Sequence, residues 1–212
     1  MLADERQKNL EIYSSMFSDY GFSLSTVGWG SKLSQEKRFK VLLEAIPDIS
    51  NRRVKLLDLG CGLGFLYGYI TSHDLNIDYT GIDISPELVE SAREHYGDHF
   101  EVMDIFDDSD FDYLVKSKFD WVVASGIFTY YTQDSYGALG TIVYSMYKIA
   151  SEGIAFNSLS QYGQVEKGKF FAHPSVVTDI CRKFSPRFVL RHDYMPHDFT
   201  VYLFKDADYE KA

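Results

Sequence analysis

The chain has 212 residues, 45% of them apolar, which suffices for one domain around a single large core. Its 21 Lys and Arg stand against 31 Asp and Glu, a formal charge of −10; this excludes the clustered positive charge of a backbone-tracking nucleic-acid binder and repels anionic membranes. No apolar run reaches membrane-spanning length, "MLADERQKNL" lacks a signal-peptide core, and two lone cysteines, Cys61 and Cys181, make no disulfide framework, so a cytoplasmic protein without a metal site is expected.

Leu10, Tyr13, Met16 and Phe17 recur at helical spacing and predict an amphipathic N-terminal helix. "GFSLSTVGWGSK" reads as an irregular loop. Ser34 is placed to cap a helix whose apolar face is Phe39, Leu42, Leu43 and Ile46, stopped at Pro47. Strands and helices then alternate. "VKLLDLG" is a strand, "FLYGYITSH" a helix and "DYTGIDI" a strand. "SPELVESAREHYG" is a helix with Ser85 as cap, Pro86 in its first turn and Gly97 at its end. "FEVMDIF" and "FDWVVAS" are the next strands, "SYGALGTIVYSMYKIA" a helix and "GIAFNSL" a fifth strand. "PSVVTDICRKF" is a helix with Val176, Val177, Ile180, Cys181 and Phe184 on one face. "RFVLRHDY" and "FTVYLFK" close the chain as a hairpin around "MPHD".

Alternating units of this kind force a parallel sheet with right-handed crossovers, and the hairpin adds an antiparallel strand. No repeat, low-complexity tract or linker divides the chain, so residues 1–212 are read as one domain. Between the first strand and its helix stands "LLDLGCGLGFLYGYI", with Gly60, Gly62 and Gly64 at alternate positions. Glycines there permit a tight turn and let a ligand approach the backbone. A dinucleotide fingerprint would have its third glycine where this chain has Phe65, so G-x-G-x-G disfavours a nicotinamide or flavin cofactor.

In these residues the chain resembles the class I S-adenosylmethionine-dependent methyltransferases, from about Val54 to Lys205. "LLDLGCGLG" resembles the family's first motif, "YTGIDIS" the second, "FEVMDIF" the third and "FDWVVASGIF" the fourth. The resemblance implies an α/β fold: a doubly wound, seven-stranded, mostly parallel sheet with an antiparallel C-terminal hairpin strand, and residues 1–50 as a helical cap. It implies S-adenosylmethionine as cofactor, held against the turn of Gly60, Cys61, Gly62 and Gly64. Asp58 would face the cofactor's amino group while fixing the glycine turn. Asp83 would accept the ribose hydroxyls, as the acidic residue does in dinucleotide folds. Ile84 and Met103 would pack on the adenine, Asp104 would meet its exocyclic amine, and Ser125 and Gly126 would pass under the sulfonium and methionine chain. Arg38, at the edge of the cap helix's apolar stripe, is placed either to reach the methionine carboxylate or to remain a solvated charge. Trp29 is either a lid over the site or an anchor for the cap.

Methyl transfer from a sulfonium is an in-line displacement, so the protein chiefly aligns the nucleophile and excludes water. A base helps only where the acceptor must lose a proton, and His173 is its first candidate, Tyr130 the second. The fourth strand is followed by "SGIF", not by an NPPY-type tetrad that holds a base amine. A small-molecule acceptor, methylated on oxygen or nitrogen among aromatics such as Phe128, Tyr130, Tyr131, Phe170 and Phe171, is therefore expected over nucleic acid or membrane. A protein methyltransferase and a cofactor-binding protein without transferase activity are the alternatives; oligomeric state is open. Residues 1–33 are expected to close over bound cofactor.

Overall fold

The computed structural model describes residues 3–28, 30–130 and 132–205; Trp29 and Tyr131 lie outside them. Seven strands, β1 (Val54–Leu59), β2 (Ile77–Asp83), β3 (Phe100–Val102), β4 (Phe119–Ala124), β5 (Ala150–Leu159), β6 (Phe188–Met195) and β7 (Asp198–Phe204), form one sheet. Their order is β3-β2-β1-β4-β5-β7-β6. The first five are parallel, while β7 runs antiparallel to both β5 and β6, as the terminal hairpin requires. The helices are α1 (Ala3–Tyr20), α2 (Lys32–Leu43), α3 (Phe65–Ser72), α4 (Pro86–Tyr96), α5 (Asp108–Lys116), α6 (Ser135–Ile149) and α7 (Pro174–Cys181), with a short 3-10 turn at Leu24–Val27.

The central strands β1 and β4 are mostly apolar, with Leu56, Leu57 and Trp121 to Ala124 buried, because both faces of the sheet are covered. Successive side chains point to opposite faces, so Leu57, Val122 and Ile154 enter the core under α6, while Leu56, Trp121 and Ala155 enter the core under α2 and α3. The strand order reverses between β1 and β4. At such a switch point the crossovers diverge to opposite faces and leave a crevice at the C-terminal edge of the sheet.

Four local expectations change. Ser31 caps α2, its hydroxyl accepting from the backbone N–H of Ser34 at 3.2 Å, so Ser34 lies inside the helix. "FEVMDIF" leaves the sheet after Val102, because the N–H of Asp104 turns to the Asp110 carboxylate at 2.9 Å. That turn leads into α5, a helix which "DSDFDYLVK" does not announce: it is acidic, and Leu114 is its one buried residue. Asp107 starts it by accepting from the N–H groups of Ser109 and Asp110. On α7, Val177 and Cys181 are buried but Val176 is exposed. Among the described residues no helix is long and apolar enough to cross a membrane.

Candidate active site

The chain leaves β1 through a turn in which Gly60, Gly62 and Gly64 have φ of +73°, +53° and +74°. Such angles suit glycine, and the space around two of them excludes a side chain as well. A Cβ on Gly60 would collide with the side chain of Ile127, and one on Gly64 would lie 2.6 Å from Phe100. The N–H groups of Gly60 and Cys61 both donate to the carbonyl of Ile82, at 2.8 and 3.0 Å, which ties the turn to β2. Gly60, Cys61 and Gly62 line the crevice. Gly64 does not, because its open side is filled by Phe100 while it caps α3.

Two carboxylates stand on the floor of this crevice. Asp83, at the end of β2, accepts from the N–H of Gly62 at 2.9 Å and of Ser85 at 3.0 Å, so it fixes both the glycine turn and the start of α4. Asp58 is buried and accepts from the Tyr79 hydroxyl at 2.7 Å. Burial pushes its pKa up to about 7 against the pull of that hydrogen bond, and the charge of Asp83 adds to the rise. Burial raises Asp83 too, opposed by its backbone hydrogen bonds. The Cys61 thiol is pushed up by burial and by both carboxylates, so it stays a small neutral residue in the wall.

The remaining walls follow the sheet edge. Ile84, Met103 and Asp104 line the side beyond β2 and β3; Ser125 and Gly126 line the side beyond β4. Asn157 braces the latter pair, accepting from the N–H of Gly126 at 2.8 Å and donating to the Ser125 hydroxyl at 3.3 Å. Helix α1 lies over the top. At one end Arg6 donates to Asp104 at 2.6 Å; further along, the rings of Tyr13 and Tyr130 meet edge to face at 5.8 Å. The Tyr130 hydroxyl donates to Met16 Sδ at 3.6 Å. The crevice beneath has a volume of about 170 Å³. From α2, Gln35 and Phe39 complete it, and the Gln35 side-chain nitrogen is buried without a hydrogen-bond partner among the described residues.

Two expected site residues lie elsewhere. Arg38 does not line the crevice: it is buried against β7, where its Nε donates to Asp198 at 2.7 Å and its Nη2 lies 3.4 Å from His197 Nε2. Tyr194 donates to the other oxygen of Asp198 at 2.6 Å. His173 caps α7 outside the crevice, with Nδ1 2.7 Å from the Ser175 hydroxyl, and its N–H is drawn to Tyr136 at 3.0 Å. Pro174 starts the helix there. Tyr130 does line the crevice, but burial raises its pKa, so it stays a neutral phenol at neutral pH. Arg6 and Gln35 were not singled out from the sequence, and Tyr13 was read only as part of an amphipathic helix face. Gln35 did carry a signal, as a polar residue one turn before Phe39 on an apolar stripe.

The match to known proteins follows this geometry. Residues 57–147, from the second half of β1 through most of α6, match the profile of the Methyltransferase domain. The Mycobacterium tuberculosis protein named "Putative methyltransferase Rv1506c" is 31% identical over 156 residues, covering 68% of this chain and 89% of its own. The chain belongs to the S-adenosylmethionine-dependent methyltransferases. Ribosomal RNA small subunit methyltransferase C of Salmonella arizonae is 26% identical over 170 residues, 78% of this chain and 49% of that one, so the chain spans about half of that relative. Magnesium protoporphyrin IX methyltransferase from Synechocystis PCC 6803, solved with bound S-adenosylhomocysteine, shares the fold at a TM-score of 0.64 and 11% identity, over 95% of this chain and 96% of that one.

The methyltransferase's crevice fits the cofactor chemically. The molecule carries a sulfonium and an ammonium, and the buried Asp58 and half-buried Asp83 carboxylates both line the space it would fill. Apolar walls at Ile84 and Met103 suit a flat base. Among the described residues no group of three or more His, Cys, Asp or Glu side chains is spaced to hold a metal ion.

Proposed function

We propose that this methyltransferase transfers the methyl group to an oxygen or nitrogen of a small molecule. The observation that carries this is the roof: α1 crosses the crevice from Asp104 to Tyr130, so an acceptor that reacts with the roof in place has to fit in the partly covered, largely apolar space beneath it. A structured RNA would instead need cations along its backbone path, and the chain's formal charge of −10 does not favour one. When bound, S-adenosylmethionine supplies a methyl already activated by its sulfonium. In this reading Asp83 holds the ribose hydroxyls, Ile84 and Met103 the adenine faces, Asp104 the exocyclic amine and Asp58 the ammonium. Ser125 and Gly126, braced by Asn157, form the ledge under the methionine chain.

The residues around the acceptor end align and dry the site. Tyr13 and Tyr130 both have raised pKa values from burial, so they present neutral hydroxyls and ring edges but no base. The crevice carboxylates are engaged at the nucleoside and ammonium positions. The acceptor therefore has to bring a nucleophilic lone pair with it, and the rate comes from proximity and exclusion of water. The test is turnover of methyl-labelled S-adenosylmethionine against small phenols, amines and carboxylic acids, in parallel with ribosomal subunits and total RNA. Label in the small-molecule fraction is expected; label confined to RNA overturns the reading.

A further inference from the structure

Gln35 Nε2 and His192 Nε2 are the buried side-chain polar atoms without a hydrogen-bond partner among the described residues, and only Gln35 lines the crevice. The Gln35 residue is 3% exposed. An orphaned amide donor in such a place costs stability, which a ligand oxygen would return on binding. Which ligand oxygen follows from the sheet order. Met103 and Asp104 follow β3, Asp83 follows β2, the glycine turn follows β1, and Ser125 and Gly126 follow β4. A nucleoside whose ribose meets Asp83 and whose base meets Met103 extends its other arm toward β1 and β4. Helix α2 packs on α3 and β5, on that same side and away from β3. Gln35 therefore faces the amino-acid arm of the cofactor.

That arm ends in an ammonium and a carboxylate. Asp58, a carboxylate itself, suits the ammonium. Among the described residues that line the crevice the one cation is Arg6, and it is paired with Asp104 at the opposite end. Arg38 is committed to Asp198. We infer that the Gln35 side-chain amide donates to the carboxylate of the cofactor's methionine arm, so a neutral donor makes the crevice discriminate whole cofactor from thioether nucleosides that lack the arm. The inference rests on the methyltransferase reading of the crevice.

Isothermal titration with two ligands tests it: S-adenosylhomocysteine, and 5′-methylthioadenosine, which keeps the nucleoside and sulfur but has no amino-acid arm. Gln35→Leu preserves the volume and should weaken S-adenosylhomocysteine about tenfold or more, the scale of a hydrogen bond to a charged group. Its affinity for 5′-methylthioadenosine should match wild type, which also shows that the variant is folded. Gln35→Glu should bind S-adenosylhomocysteine more weakly than Gln35→Leu, because it sets two carboxylates together. Equal losses for both ligands would make Gln35 a packing residue, and no loss for either would remove it from the site. Tighter binding by Gln35→Glu would give it the ammonium instead; each of these results overturns the inference. Wild-type protein that binds neither ligand would overturn the reading of the crevice itself.

Discussion

Helices α1 and α2 cover the same crevice but are attached in different ways. Six residues of α2 are buried, among them Arg38, Phe39 and Leu42, and the Arg38–Asp198 pair ties the helix to the far side of the sheet. None of the described side chains of α1 is fully buried, although the helix is 18 residues long. It is held by contacts at its ends and rim: Arg6 to Asp104, and Tyr13 and Met16 to Tyr130. Elements with few buried apolar contacts open at low free-energy cost. By burial the N-terminal segment divides into a packed wall, α2, and a lightly attached roof, α1; a cap that moves as one piece over residues 1–33 would include the capped start of α2, so the expected hinge lies before Ser31.

Breaking the wall should give the largest effect. Arg38→Met leaves the Asp198 carboxylate buried beside Tyr194 without its cation, and uncompensated buried charges of this kind cost about 3–5 kcal/mol. Thermal unfolding should shift down sharply, while the folded fraction should keep most of its affinity for S-adenosylhomocysteine. A large affinity loss at full folding would return Arg38 to the cofactor site.

The floor beneath both helices comes next. Asp83→Ala should weaken S-adenosylhomocysteine by about 2–4 kcal/mol, the scale of two charge-assisted hydrogen bonds. Because Asp83 also holds the N–H groups of Gly62 and Ser85, part of that loss is a glycine turn no longer set before binding. Titration calorimetry that finds wild-type affinity in this variant would remove Asp83 from the ribose.

What separates wall, roof and floor also separates what the sequence made legible. The floor is local: Asp58, the glycine turn and Asp83 sit on two adjacent strand–helix units, and their spacing is set by backbone geometry. The caps of α4, the parallel strands and the closing hairpin were read from signals a few residues long. Arg38 was read at the edge of the apolar stripe of α2, as a ligand of the methionine carboxylate or a solvated charge, and it is neither: its partner is 160 positions away in sequence, and nothing local points to Asp198. His173 stood at the edge where a base would be useful, but Pro174 and Tyr136 hold it outside. The roof was legible only as an amphipathic helix: Leu10, Tyr13, Met16 and Phe17 gave its face, while the target of that face, Tyr130, lies over a hundred residues on. Helix α5 was missed because its short acidic stretch buries one leucine, too little to set a period.

The floor predicts a pH dependence. Asp58 has a pKa raised to about 7, against an ordinary carboxylate value of 3.8, and Tyr79, Cys61 and Asp83 are the titratable groups that face it. A carboxyl with a raised folded-state pKa contributes stability at low pH that is lost as pH rises toward 7. Unliganded protein should therefore lose thermal stability between pH 5 and 7.5 relative to Asp58→Asn. A cationic ligand favours the ionised form, so affinity for S-adenosylmethionine should climb with pH up to about 7, by at most about tenfold per unit, and then level off. Proton release measured by calorimetry in buffers of different ionisation heat should be present at pH 6 and absent in Asp58→Asn. Equal release in both would assign the titration to another group.

The smallest effect concerns the latch of the roof. Arg6 and Asp104 are a partly exposed pair, with side chains 23% and 30% accessible, so the bond between them is worth no more than about 1 kcal/mol. Arg6 also lies over the ring of Phe106, at 5.1 Å from its centroid, which fixes the guanidinium against the rim. Global stability should barely change in Arg6→Ala. Opening of α1 is a local equilibrium, however, and there the same energy is a factor of about five in the open population. Amide exchange across residues 6–20 should accelerate by roughly that factor in the variant while α2 is unchanged. Saturation with S-adenosylhomocysteine should slow exchange in α1 of the wild type, since a ligand enclosed by the roof favours its closed state. Asp104 makes the comparison sharper: if it also meets the adenine amine, freeing it from Arg6 should leave affinity nearly constant while both association and dissociation quicken. Exchange that rises equally in α1 and α2, or not at all, would mean that the two helices move as one cap and that the distinction drawn from their burial is wrong.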